Sequence, residues 1–173
     1  MLQDYTTYRV LRLFFDSPTK GFQLREISRL AKLGMPSVQI HVRRLEKAQL
    51  VNKEKTGVYP SYKASRTEAF MMYKRIDMLL KLHESGCIEF LVQECSPDAV
   101  VLFGSASRGE DVESSDIDML VIAQEKELPL KKYEAAMKRR INILFEPSVR
   151  KLPKELLNNV INGVVVYGYL RVF

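Results

Sequence analysis

The sequence predicts an α+β fold in two modules joined by a long helix, and three observations carry this expectation. The 173 residues have a net charge of +6. Residues 1–86 hold 16 Lys+Arg and 8 Asp+Glu, a net of +8, whereas residues 87–173 hold 11 and 13, a net of −2. Apolar residues recur at helical intervals in the basic half, and short apolar β-rich runs occur in the acidic half. The basic module is therefore a candidate for nucleic-acid binding.

The composition is that of an ordinary globular chain, with 46% hydrophobic and 28% charged residues. No run reaches the ~20 apolar residues that cross a bilayer, and the first residues lack the regions of a signal peptide. We therefore expect a cytoplasmic protein that does not engage a membrane. Cys87 and Cys95 lie eight residues apart in an expected helix. This spacing separates them by ~12 Å, too far for a disulfide, so both are expected to be free thiols.

The basic half begins with three expected helices. Apolar spacing predicts the first over residues 4–15 and the second over residues 25–33, with a short extended piece at residues 22–24. Gly34 is expected to end the second helix in a left-handed conformation. The third helix begins at Met35-Pro36-Ser37, because proline is favoured in a first turn. Its expected buried stripe consists of Val38, Val42, Leu45 and Ala48.

Two strands are expected next, at residues 50–55 and 58–63 around Thr56-Gly57. The run LREISRLAKLGMPSVQIHVRRLEKAQLVNKEKTGVYPSYKAS resembles the winged-helix domains of MarR- and ArsR-like transcription regulators, over roughly residues 5–66. This resemblance implies that the second helix of a helix-turn-helix enters the major groove of double-stranded DNA, while the hairpin, or wing, touches the backbone.

The resemblance also indicates which side chains would meet DNA. On the helix they are Ser37, Gln39, Ile40, Arg43, Arg44 and Lys47, and on or near the wing they are Lys53, Lys55 and Lys63. Arg and Gln can read base edges, and Lys neutralises phosphate. Winged helices also serve as protein–protein modules, and that alternative stays open.

A linking helix is expected over residues 67–86, between a domain at 1–66 and a domain at 87–173. Residues 66–85 contain neither Gly nor Pro and carry apolar residues at helical spacing. In winged-helix regulators a helix in this place often forms a homodimer. Packing against the protein's own two domains is the alternative.

The acidic half carries a motif with a defined spacing. An apolar strand at residues 99–103 is followed by Gly104-Ser105, and ten residues later Asp116 and Asp118 begin a second strand. Because alternate residues of a strand share a face, the two carboxylates are expected to project together. Their repulsion is usually offset by a divalent cation, and hard carboxylate oxygens suit Mg²⁺ or Mn²⁺. Gly104 allows close approach of the backbone to a ligand, and Ser105 offers a hydroxyl to a phosphate.

The run LFGSASRGEDVESSDIDMLV resembles the signature of the DNA polymerase β-like nucleotidyltransferase superfamily, and in particular the minimal nucleotidyltransferases of archaea and bacteria. The resemblance covers about residues 87–170 and implies a mixed sheet with flanking helices. It assigns nucleotide binding to Gly104, Ser105, Arg108 and Gly109, and both catalysis and metal binding to Asp116 and Asp118. The implied cofactors are Mg²⁺ or Mn²⁺ and a nucleoside triphosphate, with ATP expected first. In toxin–antitoxin pairs such domains often work with a HEPN-type protein.

One position departs from the family pattern. The third carboxylate, which usually comes from a later strand, is replaced by Asn142 in the run Ile141-Asn142-Ile143. An amide can coordinate a cation through its carbonyl oxygen but cannot accept a proton. Glu146 could take over only if the strand bends or shifts in register, since it lies ~13 Å farther along. A basic segment precedes this strand, and its expected role is to meet triphosphate or nucleic acid or to form a solvated helix face. It comprises Lys131, Lys132, Lys138, Arg139 and Arg140.

Two functions therefore remain open from sequence. The first is a DNA-binding protein whose metal- and nucleotide-binding domain transfers a nucleotide monophosphate to a protein or nucleic-acid acceptor. The second is a transcription regulator or antitoxin-like protein whose nucleotidyltransferase domain is inert and only senses nucleotide or binds a partner. Asp116 and Asp118 favour the first, and Asn142 favours the second.

Overall fold

A computed structural model describes residues 5–55 and 58–172. The chain divides into two compact units, Met1–Lys74 and Arg75–Phe173. The boundary falls within one helix, α4, at Glu68–Glu84. Phe70 of this helix belongs to the core of the first unit, and Met78 and Leu82 belong to the core of the second.

In its described residues, the first unit contains three further helices and a small antiparallel sheet. Its elements are α1 (Thr6–Asp16), β1 (Phe22–Gln23), α2 (Leu24–Ala31), α3 (Met35–Lys47), β2 (Val51–Glu54) and β3 (Ser61–Ala64). The strands lie in the order β1-β3-β2, with β3 paired to both neighbours. Val38, Val42 and Leu45 of α3 are buried, as their spacing predicts. They pack in one core with Phe14, Phe15 and Phe70.

Several details of the first unit differ from expectation, and one is the second strand of the hairpin, which was expected at residues 58–63 and runs from Ser61 to Ala64. Lys32, not Gly34, adopts the left-handed conformation at the end of α2, with φ of 51°. Gly34 is extended and precedes α3, since the α2–α3 turn is already closed by the bond from the Leu33 N–H to the Ser28 carbonyl. Leu24 begins α2 instead of extending β1. Ala48 is exposed because α3 ends one residue before it, and Thr56-Gly57 lie outside the described residues.

The second unit is a four-stranded mixed sheet with helices on both faces, which confirms the expected sheet type. Its strands are β4 (Ala99–Phe103), β5 (Ile117–Val121), β6 (Ile141–Phe145) and β7 (Val164–Gly168). They lie in the order β6-β5-β4-β7; β5 and β6 are parallel, and β4 is antiparallel to β5 and β7. The helices are α5 (Cys87–Cys95), α6 (Gly104–Arg108), α7 (Lys131–Met137) and α8 (Lys154–Ile161).

Strand alternation divides the second core into two layers. Val100 and Leu102 pack toward α5 and α7, whereas Ala99 and Val101 pack on the face that carries Val160 of α8. Cys87 and Cys95 are free thiols, and burial raises the pKa of Cys87 to about 11. Within the described residues, no helix has both the length and the apolar character needed to cross a membrane.

The surroundings of His41 predict that the stability of the first unit depends on pH. Its Nδ1 lies 2.8 Å from the Thr7 hydroxyl, which joins α3 to α1, and burial and then Arg44 lower its pKa below 6.5. Because the folded pKa is below the unfolded value, the stabilising contribution is complete above about pH 6.5 and is lost as pH falls through the folded pKa. Thermal melts between pH 5 and 8 should show a steeper acid-side loss of stability for the wild type than for His41→Gln. His83→Gln is the control, since that ring is 77% exposed, and a wild-type slope in His41→Gln would contradict the assignment.

Candidate functional site

Polar side chains gather at the end of the mixed sheet where β4 finishes and β5 and β6 begin. In the parallel β5–β6 pair Asp118 lies opposite Asn142, and Asp116 immediately precedes β5. Ile117 and Ile141 both point into the core beneath α5 and α7. Strand alternation therefore places Asp116, Asp118 and Asn142 together on the opposite face.

The two carboxylates converge on one amide nitrogen. Asn142 Nδ2 donates to Asp116 Oδ2 at 3.1 Å and to Asp118 Oδ1 at 3.2 Å. A neutral amide thus bridges two acidic side chains that would otherwise repel each other. A half-turn of the same amide would present its carbonyl oxygen to this place, because the two ends of the group are nearly equal in shape.

Gly104 closes the site from the side of β4. Its φ is +71°, and a Cβ built on it would lie 2.7 Å from Asp118 Oδ2. Only glycine therefore fits here without displacing the carboxylate. Ser107, which sequence reasoning did not single out, is buried and donates its hydroxyl to the Gly104 carbonyl at 2.8 Å.

The other motif residues occupy different positions on α6. Ser105 lies in its first turn, half-buried. Arg108 is exposed and its Nε donates to Glu110 Oε2 at 2.7 Å. Gly109 ends the helix with φ of 73°. Among the described residues, no hydrogen bond joins Arg108 or Gly109 to the carboxylate pair. Only their position in the sequence, close to Gly104, relates them to the site.

A buried ion pair holds the loop before Asp116. Arg139 Nη1 donates to Asp111 Oδ2, with side chains only 12% and 1% exposed, and Arg139 Nε donates to the Ser115 carbonyl at 2.7 Å. Ser115 also accepts a bond from the Val112 N–H at 2.9 Å. Arg139 is thus not part of a solvated basic face. It fixes the backbone directly before Asp116, and neither a motif nor a spacing indicates the pairing.

Glu146 does not join the carboxylate pair. It follows β6 at the opposite end of the strand from Asn142, and its Oε1 accepts the Ser148 N–H at 3.3 Å. The strand neither bends nor shifts in register, since β5 and β6 stay paired from Ile117–Ile141 to Val121–Phe145. Glu146 is therefore excluded as the replacement for a third carboxylate.

The residues that could hold a metal ion are Asp116 and Asp118, with the Asn142 carbonyl oxygen as a third donor. Among the described residues, no group of three or more His, Cys, Asp or Glu side chains is placed to hold a metal. Two carboxylates and an amide oxygen nevertheless fit Mg²⁺, which prefers oxygen donors and takes its remaining ligands from water and phosphate.

The polar residues of α3 form a second candidate site in the first unit. Gln39, Ile40, Arg43, Arg44 and Lys47 are exposed and Ser37 is half-buried, while Lys53 and Lys55 are exposed on and just after β2. Residues at i, i+3 and i+4 adjoin on a helix, so these α3 side chains form one continuous surface. We refer to Ser37, Gln39, Ile40, Arg43, Arg44 and Lys47 as the α3 surface.

Removal of Arg139 should be far more harmful than removal of an exposed arginine. Arg139→Met leaves the Asp111 charge buried and should lower the free energy of unfolding by about 3–5 kcal/mol. Arg108→Met, whose pair with Glu110 is 46% exposed on both sides, should lower it by about 1 kcal/mol or less. Urea unfolding of both variants measures the difference, and equal losses would show that the buried pair is not a major constraint.

The comparison with known families agrees with this geometry in the second unit. Residues 86–169 match the family described as Polymerase beta, Nucleotidyltransferase. No curated protein matches the chain. The match extends from the start of α5 to the end of β7 and therefore includes Gly104, Asp116, Asp118 and Asn142. The match supports a nucleotidyltransferase domain of this type in the C-terminal half of the chain.

Proposed function

We propose that this protein binds double-stranded DNA through its first unit and a metal–nucleoside triphosphate through its second, and transfers a nucleotide monophosphate to an acceptor. The observation that carries the second part is the convergence of Asp116 and Asp118 beside Gly104. The match to the polymerase β nucleotidyltransferase family supports it.

Each side chain has a definite part in this proposal. Asp116, Asp118 and the Asn142 carbonyl oxygen would hold Mg²⁺ or Mn²⁺, which when bound neutralises triphosphate charge and polarises the phosphate under attack. Gly104 leaves room for the triphosphate because it has no side chain, and Ser105 offers a hydroxyl beside it. The Arg139–Asp111 pair holds the Ser115–Asp116 backbone in place during binding.

The proposed reaction is a displacement at the α-phosphorus. An acceptor hydroxyl oxygen forms the new P–O bond, the bond to the bridging oxygen of the β-phosphate breaks, and pyrophosphate leaves with the electron pair. The acceptor proton passes to water or to a phosphate oxygen, since Asn142 cannot accept it. ATP is the first nucleotide to test.

A second candidate function rests on Asn142. Its amide donates to both carboxylates, and it supplies no base for the acceptor hydroxyl. A regulator that binds nucleotide without transferring it would have this arrangement. The experiment below separates the two functions.

The test is incubation of the protein with each α-labelled nucleoside triphosphate, Mg²⁺ or Mn²⁺, and cell extract. Label transferred by the wild type and lost in Asp116→Ala/Asp118→Ala is the expected result, because the double variant removes both charged donors. Asn142→Asp should increase transfer about tenfold or more, since general-base assistance contributes typically 10²–10⁴-fold.

Three outcomes would change the proposal. Nucleotide binding without transfer would establish the regulator. Transfer that appears only in Asn142→Asp would show that the amide alone blocks the chemistry. Unchanged calorimetric affinity for Mg²⁺–ATP in Asp116→Ala/Asp118→Ala would place nucleotide binding elsewhere.

Gly104→Ala should strongly weaken the binding of Mg²⁺–ATP while lowering the free energy of unfolding only moderately. Its Cβ would meet Asp118 Oδ2 at 2.7 Å, and we expect at least a tenfold loss of Mg²⁺–ATP affinity. Gly86→Ala is the matched control, because Gly86 has φ of +73° but nothing within 4 Å of its Cβ position. Both changes should cost about 1–2 kcal/mol of stability from the left-handed backbone. Equal nucleotide affinity in the two variants would contradict the close packing of Gly104 on Asp118.

DNA binding is supported by the shape and charge of the first unit. The order helix, strand, two helices and two strands with an antiparallel sheet is compatible with a winged helix. Val38, Val42 and Leu45 are buried and turn the α3 surface outward. Arg43, Arg44 and Lys47 supply positive charge, Gln39 can read a base edge, and Ile40, 51% exposed, offers apolar contact to a thymine methyl group.

Arg43→Ala/Arg44→Ala should weaken binding to duplex DNA and flatten its salt dependence. Each lost phosphate contact lowers the slope of log K against log salt by about 0.9. Fluorescence anisotropy with a labelled duplex between 50 and 200 mM salt measures this slope. Arg25→Ala/Arg29→Ala on α2 is the charge-matched control. A wild-type slope at wild-type affinity would remove the α3 surface from the DNA interface.

A further inference from the structure

A cavity of about 460 Å³ lies at the end of the sheet opposite Asp116 and Asp118. Its lining includes Asp98 before β4 and Ile122 after β5, together with Ser148 and Arg150 beyond β6 and Tyr169 and Arg171 beyond β7. The strands between the two ends are five residues long, which at ~3.3 Å per residue separates the cavity from the carboxylate pair by about 15 Å. The cavity is therefore distinct from the site formed by Asp116 and Asp118.

One wall is fixed where β7 leaves the sheet. Gly168 has φ of +69°, and a Cβ there would lie 2.0 Å from the Asp98 carbonyl oxygen, so the chain can turn here only with glycine. The Tyr169 N–H then donates to the same carbonyl at 3.1 Å. Tyr169 itself is 74% exposed. The turn thus holds an uncovered aromatic ring and Arg171 beside the cavity.

The facing wall is fixed where β6 ends. The Glu146 N–H donates to the Val121 carbonyl at 3.1 Å, and Glu146 Oε1 accepts the Ser148 N–H at 3.3 Å. The Lys151 N–H donates to the Ser148 carbonyl at 3.0 Å, and Val149 is buried in the core. Ser148 and Arg150 are therefore held at the rim by the backbone and by the Glu146 carboxylate.

The groups at the rim fit a phosphate and a flat ring. Neither Arg150 nor Arg171 forms an ion pair with a carboxylate among the described residues, so two guanidinium groups remain available. Guanidinium groups bind phosphate oxygens through paired N–H donors, and a hydroxyl such as that of Ser148 can add a further bond. An exposed tyrosine ring offers a stacking surface for a base. The volume falls within the ~300–1,000 Å³ of small-molecule sites.

We propose that this cavity is a second nucleotide site that binds a mononucleotide without metal. Arg150 and Arg171 bind its phosphate, and Tyr169 stacks on its base. Only one of the lining residues used here, Asp98, carries negative charge, so the site lacks the carboxylate pair that a metal-bound triphosphate would need. The proposal does not depend on the chemistry at Asp116 and Asp118. It makes the cavity a binding site for an effector nucleotide rather than for the reacting one.

The test uses fluorescent N-methylanthraniloyl AMP and the corresponding GMP derivative, titrated with full-length protein in EDTA. EDTA removes the divalent cation that binding at Asp116 and Asp118 requires. Binding under this condition therefore reports on the cavity alone. We expect one equivalent to bind to the wild type and to Asp116→Ala/Asp118→Ala. Arg150→Gln/Arg171→Gln should weaken binding at least tenfold, and Tyr169→Ala should weaken it several-fold. These side chains are exposed, so the variants should melt near the wild-type temperature.

Lys131→Gln/Lys132→Gln is the matched control, since it removes two exposed charges from α7 and should leave binding unchanged. Absence of binding in EDTA would overturn the proposal, as would equal weakening by the α7 control. Competition by a short single-stranded RNA far stronger than that by AMP would also overturn it in favour of a polynucleotide. Loss of Mg²⁺–ATP binding in Asp116→Ala/Asp118→Ala bears only on the first site, so the two proposals fail separately.

Discussion

The parallel pairing of β5 with β6 is the constraint on which the second unit depends. It places Asp118 opposite Asn142 and leaves Ile117 and Ile141 in the core. A slip of one residue would turn every side chain of β6 to the other face and bury Asn142 without partners. The same apolar residues that stabilise the sheet therefore hold the polar cluster together.

The charge balance around this cluster is unusual in one respect. Arg139 lies next to the loop before Asp116, but its guanidinium is paired with the buried Asp111 and bonded to the Ser115 carbonyl. Its positive charge is thus already balanced. The only described hydrogen-bond donor shared by Asp116 and Asp118 is the neutral amide of Asn142. Their combined negative charge makes a divalent cation, rather than a protein side chain, the natural counter-charge.

The two ends of the sheet differ in chemistry for a topological reason. The end near Gly104 receives the acidic residues that precede and begin β5, whereas the opposite end receives the chain segments that follow β6 and β7. Those segments carry Arg150 and Arg171. One sheet can therefore offer a carboxylate site at one end and a guanidinium-lined cavity at the other. In the first unit, by comparison, the buried stripe of α3 determines which charged residues of that helix face outward.

The amino-acid sequence by itself determined the local features. Apolar runs predicted β4 at residues 99–103, proline predicted the start of α3, and strand alternation predicted that Asp116 and Asp118 share a face. These features depend on periodicity over a few residues, which a single sequence displays. The left-handed residue between α2 and α3 was predicted at Gly34 and lies at Lys32, because the bond from Leu33 to Ser28 fixes the turn.

Only the tertiary structure decided which distant residues meet. Asn142 is 24 residues from Asp118, and Arg139 is 28 residues from Asp111. Neither separation repeats a helical or strand period. The family resemblance placed Asn142 at the position of the third carboxylate, but nothing in the sequence indicated its bonds to both aspartates or the contact between Arg139 and Asp111. The exclusion of Glu146 likewise required the β5–β6 register, and the cavity required the ends of four strands to be brought together. Such contacts follow from the order and direction of strands in the sheet, which long-range packing selects and local pattern does not encode.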